Sequence, residues 1–229
     1  MNTKHKPIYK KFLRLRENIT GSKKISVLRK KKWGFLKKKS TKFNKFLNNN
    51  LHQVSKTAKS FKNLYKSQLL TKQKLKLYYT KLSDKQLKMV CKKAYLQNKS
   101  VKRKIFFDLF FNLLENRLDV IVFRANIVEN IISAKQIISH GHVYINKKKV
   151  LSSNFLLKTG DLVEFSPKIN VLINNNILNK KLNFIVPNYL EVNKIILKFY
   201  YTTDLSFDKL LGFNPFWLDI PNLTSNYNK

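Results

Sequence analysis

Positive charge is concentrated in the first half of this 229-residue chain. Residues 1–104 contain 29 lysines and 4 arginines but only two acids, Glu17 and Asp84, which gives a net charge of +31. Residues 105–229 contain 12 lysines, 2 arginines and 10 acids, which gives +4. A segment of +31 repels itself unless an anionic partner neutralises it, so the asymmetry indicates a basic lobe that binds nucleic acid. An anionic membrane surface is the second candidate partner.

The composition excludes several other classes of protein. A hydrophobic content of 43% is sufficient for one or two domains with a core. The single cysteine, Cys91, excludes an internal disulfide and a cysteine-rich zinc site. The longest apolar run, IFFDLFFNLL, is interrupted by Asp108 and Asn112 and is too short to span a membrane. We therefore expect no cofactor and no bound metal. No basic amphipathic helix with a clean apolar face stands out in residues 1–50, so no membrane partner is expected either.

Local patterns divide the chain into four parts. Residues 1–50 form a basic N-terminal extension with aromatic residues among the lysines, and residues 51–104 are predicted as a basic helical lobe. Residues 105–166 are predicted as a small module of helices and strands, and residues 167–229 as a C-terminal extension with short strands. The N-terminal extension is either a disordered polybasic tail or a segment that becomes ordered on RNA.

Two helices are predicted between residues 83 and 119. Ser83 followed by Gln86 fits a capping box at a helix start. Residues 105–119 predict a strongly apolar helix. Five of its residues are expected in the core: Phe106, Phe110, Leu113, Leu114 and Leu118.

The stretch NIISAKQIISHGHVYINKKKV predicts a further helix that leads directly into a strand. Asn130 is placed as the N-cap, and Gly141 suits a left-handed helix end. In HVYIN the apolar residues Val143 and Ile145 alternate with polar ones and should face inward, and the lysines at 147–149 lie at a tight turn. The apolar side of the helix is predicted to contain Ile131, Ala134, Ile137 and Ile138.

A second strand, LVEFS, follows Gly160 and Asp161. The predicted fold class is therefore α+β. It comprises a basic N-terminal helical lobe, a small helix-helix-strand-strand module and a C-terminal extension.

Several segments of the module resemble one known family. LLENRLD (113–119), AKQIISHGHVYINKKKV (134–150) and KTGDLVEF (158–165) resemble the small RNA-binding module, of the alpha-L type, found in ribosomal small-subunit protein four. KQKLKLYY (72–79) and VPNYLEVN (186–193) resemble further blocks of that family, in the same order. The resemblance covers roughly residues 68–204.

The resemblance implies a function and a set of partners. It implies a structural constituent of the small ribosomal subunit, not an enzyme, that binds small-subunit rRNA, supports assembly and lies near the mRNA entrance. The expected partners are small-subunit rRNA, neighbouring small-subunit proteins and mRNA.

The candidate RNA-binding residues fall in two groups. Carried over from the family, or placed beside its RNA-binding turn, are Arg117, Lys135, Gln136, Ser139, His140, Lys147, Lys148 and Lys149. Residues 1–104, which we call the basic part of the chain, add five further candidates: Arg14, Arg16, Lys72, Lys74 and Lys76. The chain also departs from the family: Ile131 stands where an Arg is frequent, Asn146-Lys147 replaces an Asn-Gly turn, and the N-terminal cysteine cluster of many bacterial members is absent.

Several of these segments also allow other interpretations. His140 and His142 supply two metal ligands where a site needs three or four. NRLD (116–119) resembles the Arg-Leu-Asp of pseudouridine synthases, but too few residues follow the module for their catalytic domain, so Asp119 is expected to be a structural acid. An RNA-modifying enzyme and an RNA chaperone carrying the same module remain the alternatives. The aromatic residues at 200–201 and 213–221 form either a protein-binding patch or core packing.

The lysine bias indicates where the gene resides. The chain has 41 lysines and only 6 arginines, with abundant Asn, Ile and Phe, as expected of coding from AT-rich organelle DNA. The N-terminus lacks the apolar core of a signal peptide and the Arg/Ser-rich character of a transit peptide. We expect a mitochondrial ribosomal protein encoded in the organelle genome, in preference to a plastid protein.

Overall fold

The described part of the chain forms two compact units. The computed structural model describes residues 8–15, 17–20, 27, 29–34, 61–79, 82–100, 106–178, 186–193 and 195–202. Described residues up to Tyr79 belong to the first unit, and those from Leu82 to Thr202 belong to the second. Helices combined with an antiparallel sheet confirm the predicted α+β class. The four-part division of the chain stays a prediction.

The first unit contains an apolar core despite its high charge. Helix α1 spans Ile8–Leu15, a 3-10 turn spans Lys31–Trp33, and helix α2 spans Phe61–Tyr78. Helix α1 packs against α2. The buried apolar residues include Phe12, Leu15, Ile19, Trp33, Leu75 and Tyr79.

The described residues of the second unit form five helices. They are α3 (Asp84–Ser100), α4 (Phe106–Glu115), α5 (Leu118–Arg124), α6 (Ile131–Ser139) and α7 (Pro167–Leu178). The predicted capping box at the start of α3 is confirmed: Ser83 N donates to Gln86 Oε1 at 2.9 Å, and Gln86 N donates to Ser83 Oγ at 3.2 Å. Among the described helices, none combines the length and the apolar character needed to cross a membrane.

The single helix predicted over residues 105–119 is wrong. Helix α4 ends at Glu115, Arg117 is extended with φ −68° and ψ 136°, and α5 begins at Leu118. The extended backbone allows Arg117 to form a β-bridge with Leu156. Two backbone hydrogen bonds flank this bridge: Leu118 N to Phe155 O (2.8 Å) and Leu157 N to Asn116 O (2.9 Å). A distant segment of the chain therefore sets the break between the two helices.

The predicted core of this segment is partly confirmed. Phe110, Leu114 and Leu118 are buried. Phe106 and Leu113 are only half-buried, so their assignment to the core is wrong.

The described part of the second unit also contains one antiparallel sheet of five strands. Its strands are β1 (Val143–Ile145), β2 (Lys148–Lys149), β3 (Leu162–Phe165), β4 (Leu190–Asn193) and β5 (Lys198–Tyr201), in the spatial order β2-β1-β3-β5-β4. In the register, Val163 lies opposite Ile145 on one side and Phe199 on the other. The second strand predicted for the module is confirmed as β3, and the late strands β4 and β5 extend the same sheet.

Alternate residues of these strands line the buried face of the sheet. Val143 and Ile145 face inward as predicted, and Val163 and Phe199 are fully buried beside them. Tyr201 belongs to the core, and its hydroxyl donates to Asn116 Oδ1 at 2.7 Å. Its neighbour Tyr200 is 47% exposed, and residues 213–221 lie outside the described part of the chain.

A buried ion pair joins α4 to α5. Arg124 Nε donates to Glu115 Oε2 at 2.9 Å, and its Nη2 donates to Oε1 at 2.8 Å. The Glu115 and Arg124 side chains are 0% and 4% exposed. Both carboxylate oxygens of Glu115 thus accept hydrogen bonds from the Arg124 guanidinium, and this bidentate geometry fixes the orientation of the two side chains.

We predict that Glu115→Ala destabilises the second unit strongly, because it leaves the Arg124 guanidinium buried without its counter-charge. The expected loss is about 3–5 kcal/mol of unfolding free energy. The paired variant Glu115→Leu/Arg124→Met should recover most of that loss. Urea unfolding followed by circular dichroism measures both, and a single variant within about 1 kcal/mol of the parent would contradict the role of the ion pair.

Candidate nucleic-acid interface

Helix α6 has a buried apolar side and an exposed polar side. Asn130 occupies the N-cap position as predicted, with extended backbone, but its side chain makes no capping hydrogen bond. Ile131, Ala134 and Ile138 are buried, whereas Ile137, predicted for the same side, is half-buried. The predicted RNA-binding residues of this helix are all exposed: Lys135, Gln136, Ser139 and His140. We call these four residues the polar face of α6.

The turn after α6 favours glycine because its backbone is left-handed. Gly141 has φ +75°, which confirms the predicted left-handed helix end, and its N–H donates to Ile138 O at 2.9 Å. A Cβ at this position would overlap Lys149 Cε and lie 2.7 Å from Lys149 Nζ. The Lys149 side chain therefore lies across the turn, where the partial negative charge of the helix C-terminus favours a cation.

Strands β1 and β2 form a tight hairpin with two left-handed residues at its tip. Asn146 has φ 48° and Lys147 has φ 67°. Two consecutive positive φ angles are typical of the type I′ turn, which matches the twist of the flanking strands. Asn tolerates this conformation, whereas Lys is strained in it. The predicted lysine turn is thus a hairpin in which Lys147 is at the tip and Lys148–Lys149 form β2, with all three side chains exposed.

Asn146 ties the hairpin tip to the start of β3. Its Nδ2 donates to Asp161 Oδ1 at 2.9 Å, and its Oδ1 accepts from Leu162 N at 3.0 Å. Asp161 Oδ2 accepts from Lys158 N at 2.8 Å. The sequence prediction missed this Asn146–Asp161 link. The two residues are 15 positions apart, and only the strand pairing brings them together.

Arg117 is buried. The residue is 5% exposed, its Nη2 lies 2.8 Å from Asp119 Oδ2, and the same atom donates to Asn154 Oδ1 at 2.9 Å. The guanidinium therefore connects the start of α5 to the loop after β2. The predicted RNA contact of Arg117 stays a prediction. Asn154 carried no signal in the sequence, because 37 positions separate it from Arg117.

Asp119 is a fully buried acid beside this arginine. Burial raises the pKa of the Asp119 carboxyl, and the Arg117 charge, a hydrogen bond from the Val120 backbone and the Lys135 charge act in the opposite direction. These contacts fit the structural role predicted for Asp119. They also make the ionised carboxylate dependent on its cationic neighbours.

The candidate residues of the basic part lie in the first unit. Arg14 is exposed on α1, and Lys72 and Lys76 are half-buried on α2. Lys74 Nζ lies 2.6 Å from Glu17 Oε2, so this lysine already has an anionic neighbour. Arg16 lies outside the described residues. The RNA contacts of this group stay predictions.

The two histidines flank the Gly141 turn with their ring centroids 6.4 Å apart. In the ranges that the structure describes, no three His, Cys, Asp or Glu side chains are grouped so that they could hold a metal ion. Burial raises the pKa of the Cys91 thiol to about 12, so this thiol stays protonated near neutral pH.

Two glycine substitutions at the hairpin tip should have opposite effects on stability. Lys147→Gly relieves left-handed strain and loses no side-chain hydrogen bond that fixes the turn, so it should stabilise the hairpin by about 0.5–1 kcal/mol. Asn146→Gly loses both hydrogen bonds of the Asn146 side chain and should destabilise it by about 1–2 kcal/mol. Hydrogen exchange of peptides covering 143–165 measures the difference. Equal effects of the two substitutions would show that the Asn146–Asp161 link contributes nothing.

Arg117→Met should destabilise the second unit in a pH-dependent manner. Without the guanidinium, the folded-state pKa of Asp119 rises further above its unfolded value of about 4. Stability then falls as pH rises from that value through the folded pKa, because ionising the buried carboxyl becomes costly. We expect a loss of about 3–5 kcal/mol near neutral pH and a smaller loss near pH 5. Urea unfolding at both pH values measures this, and equal losses would argue against the ion pair.

The double variant Arg117→Met/Asp119→Leu serves as the matched control. It removes both charges together and should recover most of the stability. Its affinity for small-subunit rRNA then tests the predicted Arg117 contact without the fold being lost.

Comparison with known proteins identifies a domain and several similar proteins. The family model described as the S4 domain matches residues 116–163, from the break between α4 and α5 into β3. The chain is 38% identical over 111 residues to the small ribosomal subunit protein uS4m of Reclinomonas americana, covering 48% of this chain and 43% of that protein.

Bacterial relatives are similar to the same degree. The uS4 protein of Brucella anthropi is 37% identical over 131 residues, which is 56% of this chain and 62% of that protein. The uS4 protein of Paracoccus denitrificans is 37% identical over 144 residues, which is 61% of this chain and 66% of that protein. The matches thus cover less than two thirds of each of these relatives. With an S4 domain at the candidate interface and this identity to several uS4 proteins, the chain belongs to the uS4 family of small ribosomal subunit proteins.

Proposed function

We propose that this chain is a structural constituent of the small ribosomal subunit and that it binds small-subunit rRNA. The observation that carries the proposal is the exposed cationic surface of the S4 domain. The polar face of α6 continues through the Gly141 turn to the lysines of the β1–β2 hairpin. Membership of the uS4 family supports the same role, since the relatives are named as small ribosomal subunit proteins.

The surface is suited to RNA because its charges are exposed and its backbone is fixed. Lys147, Lys148 and Lys149 can neutralise phosphates, and each neutralised phosphate releases counterions, with a log–log salt slope of about −0.7 to −0.9 per contact. Gln136, Ser139 and His140 add hydrogen-bonding groups. The Gly141 turn and the Asn146–Asp161 link hold helix and hairpin in one arrangement, as recognition of RNA by shape requires.

The basic part of the chain supplies a second, less specific contribution. Its net charge of +31 needs an anionic partner, and rRNA presents a dense array of phosphates. Arg14, Arg16, Lys72 and Lys76 are proposed as phosphate contacts. Lys74 would have to exchange its contact with Glu17 for a phosphate or share it.

We further infer a place in the subunit and in the cell. The resemblance extends beyond the module to residues 72–79 and 186–193, which favours a ribosomal protein that supports assembly, contacts neighbouring proteins and lies near the mRNA entrance. The lysine bias favours a mitochondrial ribosome and a gene in the organelle genome. One relative is named uS4m, but bacterial relatives are as similar, so the location rests on the composition.

The role is proposed to be structural and not catalytic. Asp119, the residue that would correspond to a synthase aspartate, is fully buried and paired with Arg117. The alternatives are an RNA-modifying enzyme and an RNA chaperone that carry the same domain. Sedimentation in a sucrose gradient distinguishes them from a ribosomal protein.

We expect the chain to sediment with the small subunit in a sucrose gradient of organelle lysate, and to remain there after a moderate-salt wash. Lys147→Ala/Lys148→Ala should be released at lower salt, because two phosphate contacts are lost. Lys158→Ala/Lys168→Ala removes the same charge from exposed positions outside the interface and should behave like the parent. Immunoblots of the gradient fractions measure all three.

Two outcomes would contradict the proposal. A chain that runs as free protein or in small RNA complexes would favour the chaperone or modifying-enzyme alternative. Equal release of the two lysine variants would place the RNA contact elsewhere on the protein.

A further inference from the structure

An apolar groove with a cationic rim lies beside α3 in the second unit. Its apolar lining includes Met89, Val90, Leu113 and Leu156, and its volume is about 150 Å³. Met89 is 58% exposed, so this apolar surface is accessible from solvent. The groove lies outside the polar face of α6 and outside the hairpin. We call it the α3 groove.

The polar groups at the α3 groove are oriented as hydrogen-bond donors. Gln86 Oε1 accepts from the Ser83 backbone N–H, and Asn154 Oδ1 accepts from the Arg117 guanidinium. Both partners can only donate, so the amide oxygens must face them and the amino groups must face away. Neither amino group has an acceptor among the residues that the structure describes. Both therefore remain available to a ligand.

The charge around the α3 groove is positive. Lys93 is part of its lining, and no carboxylate is. Helix α3 carries five lysines, at 85, 88, 92, 93 and 99, against one acid, Asp84. A ligand that fits must therefore combine an apolar face, hydrogen-bond acceptors and a nearby negative charge.

The size of the α3 groove limits the ligand to a single ring system. An apolar cavity of about 150 Å³ accepts one aromatic ring the size of benzene, whereas pockets for larger ligands start at about 300 Å³. A partner helix would insert several side chains at successive turns, which needs a longer groove. The base of one nucleotide, followed by its phosphate, matches the size and the charge.

We propose that the α3 groove receives one unstacked pyrimidine base from a single-stranded segment of RNA, with uracil preferred over cytosine. When the C4 substituent of a pyrimidine lies at the Gln86 and Asn154 amino groups, uracil presents an oxygen that accepts from them, whereas cytosine presents an amino group that cannot. The α3 lysines contact the flanking phosphates. This inference rests on the proposed RNA-binding function and gives it a base-selective site.

The test compares the full chain binding to oligouridine and to oligocytidine of equal length, by fluorescence anisotropy. Both are single-stranded pyrimidine polymers with the same charge, so the electrostatic contribution is equal. We expect oligouridine to bind about fivefold tighter, the effect of one or two hydrogen bonds.

The diagnostic variant is Gln86→Glu/Asn154→Asp. Each acid keeps the oxygen that accepts from Ser83 or Arg117, so the internal bonds persist, but each replaces a donor by an acceptor. The preference for oligouridine should disappear or reverse. The control Gln97→Glu/Asn188→Asp makes the same two charge changes outside the groove and should lower both affinities while leaving their ratio unchanged.

Three results would overturn the proposal. The first is equal binding of both oligonucleotides by the parent, and the second is the same ratio for the two double variants. The third is that Gln86→Glu/Asn154→Asp keeps the ratio but loses co-sedimentation with the small subunit, which would make the groove a site for a protein neighbour. None of these results affects the rRNA-binding function, which the affinity of the parent for small-subunit rRNA tests separately.

Discussion

The second unit depends on the point where the chain leaves helical geometry at Asn116 and Arg117. Here Arg117 forms a β-bridge with Leu156, and Asn116 accepts hydrogen bonds from Leu157 N and from the Tyr201 hydroxyl. The loop after β2 and the last described strand are thus fixed to the same two residues. Because a buried backbone break leaves polar groups that must be satisfied, these long-range partners are a condition of the break and not an addition to it.

The two units differ in how their charged residues are paired. The second unit buries two ion pairs, Arg117–Asp119 and Arg124–Glu115, each within a short stretch of sequence. The first unit has almost no acids and uses Glu17 beside Lys74. Buried pairs fix the orientation of helices, whereas an excess of unbalanced lysine provides attraction to phosphates at long range. In the proposed function the second unit therefore supplies the fixed shape, and the first unit, which carries the larger share of the positive charge, supplies most of the attraction.

Local patterns predicted the local features of the fold. The capping box at Ser83, the left-handed Gly141 and the inward-facing Val143 and Ile145 each depend on residues within a few positions of one another, and all are confirmed. The exposure of Lys135 and its neighbours on α6 follows from helical periodicity in the same way.

The features that the sequence did not predict depend on distant partners. The helix break at Arg117 requires Leu156, and the orientation of Arg117 requires Asn154. Helical periodicity alone continues through residues 116–117, because nothing in the local sequence stops it. Likewise, β5 joins the sheet of the module only through its pairing with β3. A single sequence carries no signal for such pairs.

The position of β2 has a consequence for the chain before it meets any partner. This two-residue strand is the outer edge of the sheet, and both of its residues are exposed lysines. An open edge is a template on which a second chain can add a strand and start aggregation, and short, lysine-bearing edges discourage that addition. Exposed lysines at this edge therefore oppose the pairing of two free molecules, and in the proposed complex with RNA the phosphates would neutralise that repulsion.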